Sequence, residues 1–64
     1  MLPVLIPGEK GKVVRVWQVI VDADLTGVYD KQTEEKTIQF QRANNLKPDG
    51  IVESFTWSAG LGTL

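Results

Sequence analysis

The stretch KVVRVWQVIVD, from Lys12 to Asp22, decides the fold, and its local signals conflict. It is dense in β-branched residues, which pack well on a pleated sheet and favour a strand. Its apolar positions, Val13, Val14, Val16, Trp17, Val19, Ile20 and Val21, follow neither clean alternation nor a narrow helical stripe. Val14, Trp17 and Val21 do stand at i, i+3 and i+7, as one face of a helix requires. Periodicity within the stretch leaves both readings open.

The rest of the chain resolves it. Shifting the sequence by 23 residues sets Gln18 on Gln41, Gly27 on Gly50 and Thr33 on Thr56. Similar residues also align: Trp17 with Phe40, Val28 with Ile51, Asp30 with Glu53, and Ile38 with Leu61. A period of this size marks a stacked supersecondary unit, here a helix ending in aromatic-Gln, a glycine turn, and the start of the next helix. The Phe40-Gln41 copy lies in a clear helical segment. Asp30 is a good N-cap for it, Glu34 and Glu35 sit near the positive end of its dipole, and Asn44-Asn45 close it. Ile38, Phe40 and Ala43 are its main apolar residues, with Thr33 and Thr37 completing a face. If that copy is helical, the Trp17-Gln18 copy is expected to be helical too.

The expected fold is therefore all-α: a small domain of three helices at about 10–22, 31–44 and 54–60, with two related glycine turns. Pro48-Asp49-Gly50 is a turn because proline sets one corner and glycine supplies positive φ. Residues 1–7 hold two prolines, which fix φ and remove amide donors; they read as an extended N-terminal arm preceding a domain at 8–64. The expected core is Val14, Trp17, Val21, Leu25, Ile38, Phe40, Leu46, Ile51, Val52 and Trp57. The arm either covers one side of that core or docks Leu2, Val4, Leu5 and Ile6 on a partner.

Composition removes several functions. At 64 residues the chain is one domain at most, with roughly 60% of its unfolded surface to bury. Its net charge is −1 with the basic residues dispersed, so the stripe of a nucleic-acid binder is missing. There is no cysteine for a disulfide or thiolate zinc site, and no histidine as general base or metal ligand. The apolar start lacks the basic region and cleavage site of a signal peptide and is too short to span a bilayer. A glycosidase needs two carboxylates held across a cleft, Ser54 and Ser58 have no histidine to activate them, and no metal or cofactor is implied. The chain reads as a non-enzyme.

The motifs, taken together, resemble the peptidoglycan-binding domain found beside the catalytic domains of many bacterial and phage cell-wall hydrolases. The matching residues are Gly8, Gly11, Val14, Trp17-Gln18, Gly27, Tyr29, Thr33, Phe40-Gln41, Leu46, Asp49-Gly50-Ile51-Val52 and Thr56-Trp57, covering roughly residues 3 to 61. Three departures stand out. Trp17 replaces the family's leucine, Asp30 and Glu53 replace the glycine after each turn, and Thr26-Gly27 replaces Asp-Gly. The resemblance implies binding to peptidoglycan glycan or stem peptide.

Gln18 and Gln41 are expected to bond the backbone of the glycine turns. Thr33 and Thr56 are expected to bond free amides in the first turns of their helices. Trp17, Phe40 and Trp57 read as core, and Tyr29 as the aromatic that stays partly exposed. In a two-unit repeat the glycine turns and following helix starts converge at one end. A shallow binding site is expected there on Tyr29, Asp49 and Gly50, with Arg42 as a partner for a carboxylate. Asp30 and Glu53 add negative charge that would repel an anionic stem peptide. Two functions remain: a wall-binding module acting at the bacterial cell wall, or a phage virion protein. The second, a capsid decoration or tail-associated protein in the particle or the infected host's cytoplasm, would meet capsid or tail proteins through the arm. The start at Met1 without a catalytic domain favours it.

Overall fold

The computed structural model describes residues 2–64; Met1, the first residue of the expected arm, lies outside the described residues. Three helices follow in order: α1 (Lys12–Val21), α2 (Lys31–Ala43) and α3 (Ser54–Leu61). The expected bounds hold to within one or two residues. Among the described residues there are no strands, only two isolated antiparallel β-bridges, Leu5 with Val52 and Lys10 with Val28.

The conflict in Lys12–Asp22 ends in a helix, and the reason lies on its buried face. Val14, Trp17, Gln18 and Val21 are buried, an i, i+3, i+4, i+7 stripe whose third member is the polar Gln18. Counting only apolar residues hides that stripe, because Val16 and Val19 face solvent. The helix closes with the Ala23 N–H donating to the Gln18 carbonyl (2.9 Å) and the Asp22 N–H to that of Val19 (3.4 Å), with Asp22 left-handed at φ 62°. This is a Schellman closure, normally made by glycine. The end of α2 repeats it at the same offset. Leu46 N–H donates to the Gln41 carbonyl (2.8 Å), Asn45 N–H to that of Arg42 (3.2 Å), and Asn45 has φ 58°.

α2 buries a polar stripe, Thr33, Thr37 and Gln41, spaced by four residues. At its start the Asp30 carboxylate accepts the Thr33 N–H (2.9 Å), as the sequence predicts. Asp30 and Glu53 stand at φ −95° and −121°. Any residue adopts this extended backbone, so exchange of the family's glycines introduces no strain there.

The core is Leu5, Val14, Trp17, Val21, Tyr29, Val52 and Trp57. Trp17 is fully buried and meets Phe40 and Trp57 edge-on, at ring-centroid distances of 5.5 and 5.2 Å. Its indole N–H donates to Thr37 Oγ1 (2.9 Å). Four expected core positions, Ile38, Phe40, Leu46 and Ile51, are only half-buried. Leu25 is 56% exposed, a correction. It sits in a turn held outward by the Asp24 N–H donating to Gln32 Oε1 (2.7 Å) and the Thr26 N–H donating to the Asp24 carbonyl (2.9 Å).

Leu5 is 3% exposed and belongs to the core, so it is not available to a partner as the arm reading expects. Its N–H and carbonyl both pair with Val52 (3.0 and 2.9 Å). Further along, Gly8 N–H donates to the Tyr29 carbonyl (2.9 Å) and Tyr29 N–H to that of Glu9 (2.8 Å). The N-terminal segment is thereby stitched to the residues after both glycine turns. Leu2, Val4 and Ile6 remain on the surface.

Candidate functional site

Each glycine turn is organised by one buried glutamine. Gln18 Oε1 accepts the Gly27 N–H (3.0 Å), while its Nε2 donates to the Val28 carbonyl (2.9 Å), Thr33 Oγ1 (2.9 Å) and Thr26 Oγ1 (3.1 Å). At an offset of 23 residues the pattern recurs. Gln41 Oε1 accepts the Gly50 N–H (2.9 Å), and its Nε2 donates to the Ile51 carbonyl (2.9 Å), Thr56 Oγ1 (3.2 Å) and Asp49 Oδ1 (3.3 Å). Thr26 and Asp49 are interchangeable here because each offers an oxygen to the N–H two residues on, that of Val28 (3.2 Å) or Ile51 (2.9 Å). The expected role of the glutamines is what the geometry gives. Thr33 and Thr56 differ from expectation: their hydroxyls accept from the glutamines, and the amide at the start of α2 goes to Asp30.

Of the expected site residues, the fold brings Tyr29, Asp49 and Gly50 together, but inside. Tyr29 is 1% exposed and its hydroxyl donates to the Gly50 carbonyl. The expectation of a partly exposed ring is therefore corrected: the N–H and carbonyl of Tyr29 itself are both bonded to the N-terminal segment, at Glu9 and Gly8, and the ring lies inward. Burial pushes the Tyr29 phenol above its ordinary value; contact with Thr37 opposes this, and Glu34 and Asp49 add to it. Gly50 is buried at φ 75°, with Glu34 and Ile38 of α2 packed where a Cβ would project. Asp49 is half-buried and holds the turn. Arg42 is exposed in the last turn of α2. Bonds from the Thr33 amide and hydroxyl, with a smaller one from Thr26, hold the Asp30 carboxyl below its ordinary value. Asp30 thus stays ionised on the α2 N-terminus, where an anion would otherwise be received.

An open groove of about 680 Å³ lies elsewhere, between the N-terminal segment and α3. Ser54, Trp57, Ser58 and Leu61 form one wall, Leu2 and Val4 the other, and Glu53 stands at one end. The α3 residues fall at i, i+3, i+4 and i+7, so they share a face. The Trp57 indole N–H donates to the Pro3 carbonyl (2.8 Å), tying the two walls together. This groove is within the size range of small-ligand sites. Sequence reasoning singles out Leu2 and Val4 but passes over Ser54, Ser58 and Leu61 as a surface. The helical spacing of those residues was the available signal; that Leu2 and Val4 lie opposite them was not legible.

Among the described residues, no group of three or more His, Cys, Asp or Glu side chains is placed to hold a metal ion. No described helix is long and apolar enough to cross a membrane. Comparison with curated proteins and with solved structures finds no match. A family model does match: residues 16–59 fit the putative peptidoglycan binding domain. That segment runs from mid-α1 to α3 and contains both glutamine-held turns. The chain belongs to the peptidoglycan-binding domain family.

Proposed function

We propose that this domain is a non-catalytic wall-binding module that contacts peptidoglycan through the groove between its N-terminal segment and α3. The family match over residues 16–59 carries the reading. The groove supports the non-catalytic part, since Glu53 is the one ionisable side chain among its lining residues, whereas glycoside hydrolysis takes two facing carboxylates. Apolar side chains on both walls, with two serines on the α3 wall, suit a ligand that is part aliphatic and part polar.

The test is depletion from solution by purified sacculi. The unaltered chain is expected to sediment with them. Ser58→Arg, an exposed position on the groove wall, is expected to abolish sedimentation without unfolding the domain. Arg42→Ala and Asp49→Ala probe the turn and the end of α2 in the same assay. Loss of binding in those variants with Ser58→Arg unaffected would move the contact surface to that end. Full recovery of the unaltered chain in the supernatant would remove wall binding.

The second reading is a phage virion protein that uses the fold as an interaction block. Exposed Leu2, Val4 and Ile6 on one short segment favour it, because contiguous apolar surface marks contact sites. It predicts supernatant recovery together with association with capsid or tail proteins, lost on Val4→Asp.

A further inference from the structure

The two helix starts that follow the glycine turns differ in one respect. Asp30 caps α2, its carboxylate taking the Thr33 N–H and hydroxyl. Glu53, at the equivalent place 23 residues on, makes no side-chain cap bond to α3. Glu53 is exposed instead and lines the groove at the start of α3. From it the groove runs between Leu2, Val4, Trp57 and Leu61, with the Ser58 hydroxyl on one side. An anionic end on an otherwise apolar trough is complementary to an aliphatic chain that terminates in an ammonium group.

We propose that the groove takes the diamino residue of an uncross-linked stem peptide, with its methylenes along the apolar walls and its free amine at Glu53. This rests on the wall-binding reading and gives it a ligand. The charge that would repel the carboxylates of a stem peptide instead selects the amine-bearing side chain. The groove should then discriminate between wall in which that amine is free and wall in which it is acylated, because acylation removes the charge that pairs with the carboxylate.

The experiment compares the full chain and Glu53→Gln on native sacculi and on sacculi whose free amines have been acetylated. Exposed ion pairs contribute up to about 1 kcal/mol, or roughly fivefold in affinity, and weaken with salt. The unaltered chain is expected to lose about two- to fivefold on acetylation at low ionic strength. Glu53→Gln is expected to bind native sacculi weaker by a similar factor and to be indifferent to acetylation. That non-additivity is the signature of a direct pair. Equal binding of the two proteins to native sacculi, or an equal loss by both on acetylation, would overturn the amine assignment while leaving wall binding intact. Failure of both proteins to bind native sacculi would overturn the wall-binding reading and this inference with it.

Discussion

Tyr29 is the chain's one tyrosine, and its hydroxyl ties the residues after the first glycine turn to the Gly50 carbonyl of the second. Burial disfavours the phenolate, so the folded pKa lies above the unfolded value of about 10. A raised folded pKa contributes stability that is fully present below the unfolded value and is lost as pH rises through the folded one. Phenolate absorbance is therefore expected to titrate above pH ~10 and to shift downward when the domain is unfolded in urea; coincident titrations would contradict the buried ring. Gln41 is the second residue to probe. Replacing it with alanine strands the Gly50 N–H, the Ile51 carbonyl and Thr56 Oγ1 and opens a cavity. A buried group left unpaired costs about 1–3 kcal/mol, so Gln41→Ala is expected to lower stability by about 3 kcal/mol or more. The urea midpoint measures it, and a loss under about 1 kcal/mol would mean that water replaces the glutamine without penalty.

At the scale of single elements, α1 stands against its own composition. Six β-branched side chains lie between Val13 and Val21, and each loses rotamer freedom against the preceding turn. The helix holds because Val14, Trp17, Gln18 and Val21 reach the core and because its end is closed by paired backbone bonds. That closure places Asp22 at φ 62°, where an L side chain is strained and glycine is not. Asp22→Gly is expected to raise stability by about 0.5–1 kcal/mol, read as a melting temperature several degrees higher. A lower melting temperature would show that the left-handed closure is not the strained point.

For the molecule as a whole, the decisive contact is the crossing of α1 and α3. A Cβ at Gly60 would lie 2.5 Å from Trp17 Cζ3 and 3.1 Å from Ile20 Cγ2. The Trp17 ring is fully buried between Phe40 and Trp57 and has no space to withdraw. Overpacking of this kind costs about 1–3 kcal/mol and exceeds alanine's gain in helix propensity. Gly60→Ala is accordingly expected to destabilise by about 1–2 kcal/mol in thermal or urea unfolding, and a neutral or stabilising result would mean that the helices separate readily. The Cα radius of gyration, 10.1 Å, is close to the roughly 11 Å of a globular chain of this length. The N-terminal segment is thus folded onto the body, with Leu5 inside it and Leu2 and Val4 left to wall the groove.

The three helices, the two glycine turns and the role of the glutamines were legible in the sequence because they depend on local spacing. A cap, a positive φ and a glutamine eight or nine residues from its turn act over short stretches, and their recurrence at 23 residues identified α1 despite its valines. The covered face of α1 was legible too, in Val14, Trp17 and Val21; burial of the N-terminal segment and of the residues around the turns was not, since that depends on residues distant along the chain. Tyr29 and Leu5 are buried because the N-terminal segment pairs with the residues after both turns. Leu25 is exposed because its turn bonds outward to α2. The groove exists only where Pro3 meets Trp57, 54 residues apart. Short-range hydrogen bonding writes itself into spacing; burial away from the helices is decided by long-range pairing, so the groove emerges only in the tertiary structure.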